Sequence, residues 1–247
     1  MVTDKAGAPI PYASVVLLRD GTVATGGITD DDGGFLIKAD AVKYVLTVEF
    51  IRMVCDGFGD GVMDSPGEFA RYAQWISYDG YRAMYEANNA GKKGLLIWMS
   101  HSCWPSQAWQ TYDYWFDRGG AFYGTKKGCE PLHIQFNPIE HAVQVCNYRT
   151  AGADNLTACI SIAGPCRKEI YSKSAALSIG EYEVKNAIDC PDIPDGPCVM
   201  TLTLKDAAGA AVSDNIYLRN FKDGRNTGIY TDLPKETIDA TLRSVLR

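Results

Sequence analysis

The sequence predicts a mixed α and β fold that is mostly β, and three observations carry the prediction. Short β-rich runs parted by Gly and Asp turns fill residues 1–50. One long helical stripe, followed by one unbroken apolar run, occupies residues 65–99. From about residue 130, short alternating stretches separated by turn residues give the pattern of an antiparallel sandwich. A length of 247 residues leaves room for one to two domains. With 46% hydrophobic and 11% aromatic residues, disorder over the whole length is excluded.

In residues 1–50 the β-rich runs are Val15–Leu18, Phe35–Ile37 and Tyr44–Val48. Asp20-Gly21, Gly26-Gly27 and Asp30–Gly34 lie between them as turns. The acidic run at 30–32 is read as a tight turn before a strand rather than as a calcium site. Residues 56–64 form a Gly/Asp loop that approaches an EF-hand, but Phe58 and Gly67 stand where two ligands are required.

The clearest helix starts at Ser65-Pro66-Gly67-Glu68, a capping box with proline at the first helical position. Phe69, Tyr72, Ala73, Ile76, Gly80, Ala83, Met84 and Ala87 recur at helical spacing and predict one buried stripe. Asn88 to Gly91 end it. Gly94–Met99 shows no alternation, as in a strand buried on both faces of a parallel sheet. Such a unit cannot bury itself, so its neighbours must come from elsewhere.

Beyond residue 130 the expected strands are Leu132–Phe136, Val143–Tyr148, Leu156–Ile162, Ile170-Tyr171, Val199–Leu204 and Ile216–Leu218, with a hairpin turn at Asp206–Gly209. Residues 221–247 are polar, and Thr237 to Arg247 fits either an amphipathic helix or a first strand of something further.

Charge and motifs narrow the chemistry. A net charge of -6 opposes a nucleic-acid partner, which needs a basic face. No apolar run approaches the roughly 18 residues of a membrane helix. Residues 1–20 lack the features of a signal peptide, which leaves either a cytosolic chain or a missing true N-terminus. None of the eight cysteines forms a C-x-x-C pair, so no zinc ribbon is expected. Cys190 and Cys198 flank a Pro/Gly/Asp turn and fit either a small disulfide loop or two isolated thiols. His101, His133 and His141 have no metal-ligand spacing, no Gly-rich phosphate loop follows a strand, and no cofactor is expected. All five tryptophans (75, 98, 104, 109, 115) fall in one forty-residue window with Tyr112, Tyr114, Phe116, Phe122 and Tyr123. Such faces suit the C–H faces of sugar rings, and a tryptophan-rich core is the competing reading. Glycoside hydrolysis needs two carboxylates, and none of Glu68, Glu86, Asp113, Asp117 and Glu130 stands at a strand exit with a partner.

Two resemblances then appear. Ala6-Gly7-Ala8-Pro9-Ile10-Pro11-Tyr12-Ala13-Ser14-Val15, with Thr29-Asp30 and Gly34-Phe35, resembles the carboxypeptidase-regulatory-like domain, a transthyretin-like, non-catalytic β-sandwich module. Here the strand before Val2 is absent, and Ile51-Arg52-Met53 replaces the Gly-Tyr continuation after Phe50. Residues 58–235 resemble glycoside hydrolase family 2, in its exo-β-glucosaminidase and β-mannosidase branch. The likeness runs through Phe69–Ala87, Leu96–Met99, Trp104–Ser106, Trp109–Tyr114, Gly124–Gln135, Asn215–Arg219 and Leu233–Lys235.

This second resemblance implies a retaining (β/α)8 barrel with two catalytic glutamates at the ends of its fourth and seventh strands. Residues 51–129 would be the end of that barrel, with 68–90 its seventh helix and 94–99 its eighth strand. Residues 130–220 would be an immunoglobulin-like β-sandwich, and 221–247 the start of a further β-domain or a tail. Both glutamates would lie upstream, so no catalytic residue is assigned and these residues alone are expected to be inactive. Trp98, His101 and Trp104 are carried over as sugar contacts, with a β-linked oligosaccharide or polysaccharide as partner. A secreted or periplasmic parent is implied. The alternative is a carbohydrate-binding or surface spacer module that binds without cutting.

Overall fold

The computed structural model describes residues 14–19, 22–28, 45–89, 94–97, 99–103, 110–190 and 193–246. Two compact units divide the chain, Met1–Met53 and Val54–Arg247. In the first, β1 (Ser14–Arg19) and β2 (Thr22–Ile28) pair antiparallel, with a register shift between Leu17 and Leu18. The expected run Phe35–Ile37 lies outside the described residues.

Two expectations around residue 50 are corrected. The run Tyr44–Val48 was expected as a strand, yet its described part opens the helix α1 (Val45–Phe58). Val48, Ile51, Val54 and Phe58 repeat at spacings of three and four, and that longer period overrides the local β-branched composition. The loop expected at 56–64 is the end of α1 followed by a 3-10 turn, Asp60–Asp64. Gly59, at φ 86°, turns the chain between them.

Helix α2 (Pro66–Asn88) starts as expected, with Pro66 at its first position and the Ser65 side chain accepting from the Glu68 amide at 3.4 Å. Its buried face is not the expected stripe. Tyr72 and Ala73 are buried, but Gly80, Ala83, Met84 and Ala87 are exposed. Trp75, Tyr78, Tyr81, Arg82 and Glu86 are buried instead. Apolar periodicity does not find this face, because the C-terminal half of α2 buries the ions Arg82 and Glu86 against its neighbours.

Helix α3 (Gly120–Gly128) was not anticipated. It lies against α2 on a stripe of three glycines, one per turn. A Cβ at Gly120 would fall on the Gln74 carbonyl, one at Gly124 on the Tyr78 carbonyl, and one at Gly128 against Tyr85 Cβ. Only glycine permits backbones to approach this closely. The strand expected at Gly94–Met99 is also corrected. Residues 94–97 and 99 form no strand, and Leu96 is 100% exposed. A doubly buried strand needs two flanking strands, and the described residues contain no closed barrel.

The remainder is two antiparallel sheets sharing one core. One has the order β3 (Leu132–Asn137), β4 (Ala142–Asn147), β7 (Val184–Asp189). The other has the order β10 (Arg225–Asn226), β9 (Ala211–Lys222), β8 (Gly196–Lys205), β5 (Ala153–Ala163), β6 (Glu169–Ile179). Period-two alternation sends Leu156, Ala158, Ile160 and Ile162 of β5 inward, to meet Ile134, Phe136, Val143 and Val145 of the facing sheet. Strand β7 was not foreseen because its sequence, VKNAID, carries few apolar residues. The turn at Asp206–Gly209 is present: Asp206 Oδ1 accepts from the Ala208 and Ala210 amides, and Gly209 takes φ 81°.

The C-terminal alternatives resolve as a helix, α4 (Lys235–Val245), with Ile238, Thr241 and Leu242 buried. Arg71 of α2 holds it through both oxygens of Asp239, each at 2.9 Å. Cys190 and Cys198 are free thiols. The described architecture is thus mixed: four helices, a two-stranded hairpin, and antiparallel sheets of three and five strands.

Candidate functional site

Of the three expected sugar contacts, Trp98 and Trp104 lie outside the described residues. His101 is exposed. Its Nδ1 lies 3.0 Å from Ser100 Oγ, and its ring centroid is 5.3 Å from that of Phe116. An isolated bridge joins it to Tyr112. The structure therefore brings His101 to a neighbouring turn rather than to a pocket.

That turn, residues 113–117, is built by Asp113. Its Oδ1 accepts from the Trp115 and Asp117 amides, each at 2.8 Å, and Phe116 sits at φ 67°. The geometry turns three rings outward: Tyr114, Trp115 and Phe116 are 44%, 68% and 67% exposed. Tyr114 and Trp115 meet edge to face at 5.5 Å. Flat apolar faces beside carboxylates and an imidazole can stack on sugar rings and bond their polar substituents. Composition marks these aromatics, but not that Asp113 presents them. A short Asp-aromatic-aromatic-aromatic-Asp stretch between elements was the available signal.

The titratable groups with the most perturbed environments lie elsewhere, between α2 and the sandwich. Glu86 Oε1 accepts from Asn215 Nδ2 at 2.6 Å and from the Tyr217 hydroxyl at 3.0 Å, and stands 3.1 Å from His133 Nε2. On its other side His133 Nδ1 is 3.2 Å from Glu130 Oε2, which also accepts from Ser213 Oγ at 2.7 Å. Lys127 joins Glu130 and Asp214 at 2.6 Å each. Arg82, fully buried, bonds Asp79 and donates to Asn215 Oδ1 at 2.8 Å; its guanidinium lies 4.0 Å from the Tyr217 ring centroid. Arg219 completes the set on Asp79 at 3.1 Å.

Burial alone would raise the carboxyl groups of Asp79, Glu86 and Glu130, but their cationic and hydrogen-bonding partners win and hold all three below the usual range. Burial alone would lower His133, but Glu130 and Glu86 outweigh it and raise its pKa. Glu86 and His133 are sealed from solvent and bind elements together, while Lys127, Glu130, Asp214 and Asn215 on the outer side of the cluster line a cavity of about 340 Å³. Among the described residues no three His, Cys, Asp or Glu side chains are grouped to hold a metal ion. No described helix is long and apolar enough to cross a membrane.

A helix pair locked by buried ions to a two-sheet sandwich matches part of a known enzyme class. Over 61–69% of its length the chain is similar to exo-β-D-glucosaminidases, enzymes of glycoside hydrolase family 2. No family model matches it. It is 35% identical over 162 residues to the exo-β-D-glucosaminidase of Streptomyces avermitilis, covering 61% of this chain and 18% of that protein. To the enzyme of Amycolatopsis orientalis it is 32% identical over 177 residues, covering 65% and 17%. The Amycolatopsis orientalis exo-chitosanase CsxA, solved in complex with PNP-β-D-glucosamine, superposes with a TM-score of 0.63 at 30% identity, over 69% of this chain and 21% of that one. The β-D-mannosidase of Dictyoglomus thermophilum shares the fold, with a TM-score of 0.61 at 18% identity, over 76% of this chain and 23% of that one. The chain spans about a fifth of the length of these relatives.

Proposed function

We propose that these residues are the late part of a family 2 glycosidase whose whole chain hydrolyses terminal β-linked glucosaminides or mannosides. In this reading residues 51–129 supply the last helices of a (β/α)8 barrel, 130–220 an immunoglobulin-like domain, and 221–247 the start of a further segment. Residues 1–50 act as a transthyretin-like spacer. A secreted or periplasmic parent goes with this reading. The observation that carries it is the junction. Arg82, Glu86, Glu130 and His133 tie α2 and α3 to β3 and β9, and the homology runs through both layers. The segment's role is then to brace a catalytic domain, and it contributes no catalytic glutamate.

Two measurements test this. Purified chain incubated with a nitrophenyl β-glucosaminide or β-mannoside should give no turnover above blank, and robust turnover overturns the bracing role. The native locus, sequenced across codons 45–70 and beyond both ends, should carry two barrel glutamates upstream. A short frame without them overturns membership in a hydrolysing parent.

The exposed turn favours a second reading, in which the chain contacts a glycan without cutting it. Tyr114, Trp115 and Phe116, with His101, form the surface, and Trp98 and Trp104 are proposed as further sugar contacts on the resemblance alone. Saturable binding of chitosan or mannan oligosaccharides, lost in Trp115→Ala and weakened in Trp104→Ala, supports this reading. A flat titration leaves bracing as the function.

A further inference from the structure

We propose that His133 is a proton-dependent clamp: with both ring nitrogens protonated it holds the helix pair on the sandwich, and without its second proton that junction loosens while the sandwich stays folded. The geometry makes the demand. His133 is fully buried, and each ring nitrogen faces a carboxylate, Glu86 of α2 at 3.1 Å and Glu130 of the α3–β3 connection at 3.2 Å. A neutral imidazole has one N–H and could donate to only one of them.

Charged groups reach the surroundings of His133 from every element packed against it. From α2 come Asp79, Arg82 and Glu86; from α3 and its exit, Lys127 and Glu130; from β9, Asp214 and Arg219. Asp214 is exposed and meets Lys127 at the rim, whereas inside the junction Glu86 faces both Arg82 and His133, and Glu130 faces both Lys127 and His133. Paired opposite His133 on β4 is Cys146, whose thiol burial pushes up to about 12 and so stays neutral. Tyr217 is likewise held neutral well above its ordinary value, first by burial. Loss of the second His133 proton leaves one of the two carboxylates, Glu86 or Glu130, facing a ring nitrogen that no longer donates, at the point where three elements meet. The raised pKa of His133 fits this arrangement: its contribution is fully present below about 6.5 and is lost as pH rises through the folded value.

The chain carries its own reporter. Every tryptophan lies at or before residue 115, so none is in the sandwich, and Trp75 is buried in α2. Thermal melts of the full chain between pH 5.5 and 9 should therefore be followed by tryptophan fluorescence and by the β signal in circular dichroism. The fluorescence midpoint should fall with rising pH while the circular-dichroism midpoint holds. In His133→Gln the fluorescence midpoint should be low and flat across this range. In the wild-type imidazole NMR spectrum, the resonance that disappears in His133→Gln should titrate above 6.5, and Glu130→Gln should lower its midpoint. A His133 midpoint at or below 6.5, an unchanged pH profile in His133→Gln, or parallel shifts of both optical signals would overturn the proposal. Should His133→Gln fail to fold, the wild-type titration and the Glu130→Gln shift decide it.

Discussion

Arg82 shows how much rests on single side chains at the junction. It is fully buried, contacts Asp79, Glu86 and Asn215, and lies over the Tyr217 ring. Arg82→Ala takes a buried cation from between Asp79 and Glu86, and breaking a buried pair on one side costs about 3–5 kcal/mol. Arg82→Lys should recover little, because one ammonium cannot span partners arranged for a planar fork. Urea denaturation followed by tryptophan fluorescence measures both; a loss below about 1 kcal/mol in Arg82→Ala would mean the ions do not hold the layers together. None of this was legible from apolar periodicity, which marked exposed Ala83 and Met84 as core and passed over Arg82 and Glu86. Glu130 and His133 were visible as residue types, but their meeting with Glu86 depends on the fold. Asp113 is the converse case, a local turn-former whose effect on Trp115 and Phe116 needs only five residues of sequence.

Between elements, the α2–α3 contact gives a matched pair of glycine predictions. At Gly124 a Cβ would strike the Tyr78 carbonyl, which is backbone and cannot swing away. Gly124→Ala should therefore destabilise by about 1–3 kcal/mol, the usual range for overpacking. Gly80 lies in the same helix system with nothing within 4 Å and is exposed, so Gly80→Ala should stabilise by about 0.5–1 kcal/mol through helix propensity. Equal effects in the two variants, read from thermal midpoints, would rule out the close packing of these helices. Elements with local signals were readable: the Ser65 cap, the alternation of β5 and the Asp206–Gly209 turn each follow from neighbouring residues. Elements defined by distant partners were not. Gly94–Met99 has strand composition but no flanking strand among the described residues, and α3 announced itself only by glycines four apart. Of the expected sugar contacts, His101 is exposed beside the 113–117 turn, whereas Trp98 and Trp104 fall outside the described residues.

Across the second compact unit, burial is divided in a way that makes one layer self-sufficient. The sandwich's apolar core is formed by residues between 132 and 221, separate from the buried apolar side chains that the helices carry, such as Trp75 and Leu242. The face of β3 and β4 that turns toward α2 carries His133, Gln135 and Gln144, which are polar. Removing the helices would thus expose groups that water can satisfy, whereas the helices would lose every sandwich partner of Arg82 and Glu86. Residues 130–226 expressed alone should unfold cooperatively in urea, and residues 54–129 alone should show no such transition. The two forms should also differ in acid. In the full chain Asp79, Glu86 and Glu130 are held below their ordinary values, so their stabilisation is present above about 3.8 to 4.5 and is lost as pH falls through the lowered values. The excised sandwich lacks Asp79, Glu86 and Lys127, and its stability should fall less steeply below pH 4.5 than that of the full chain. Identical acid profiles would place the pH dependence inside the sandwich, and would remove the junction as the element that acid dissolves first.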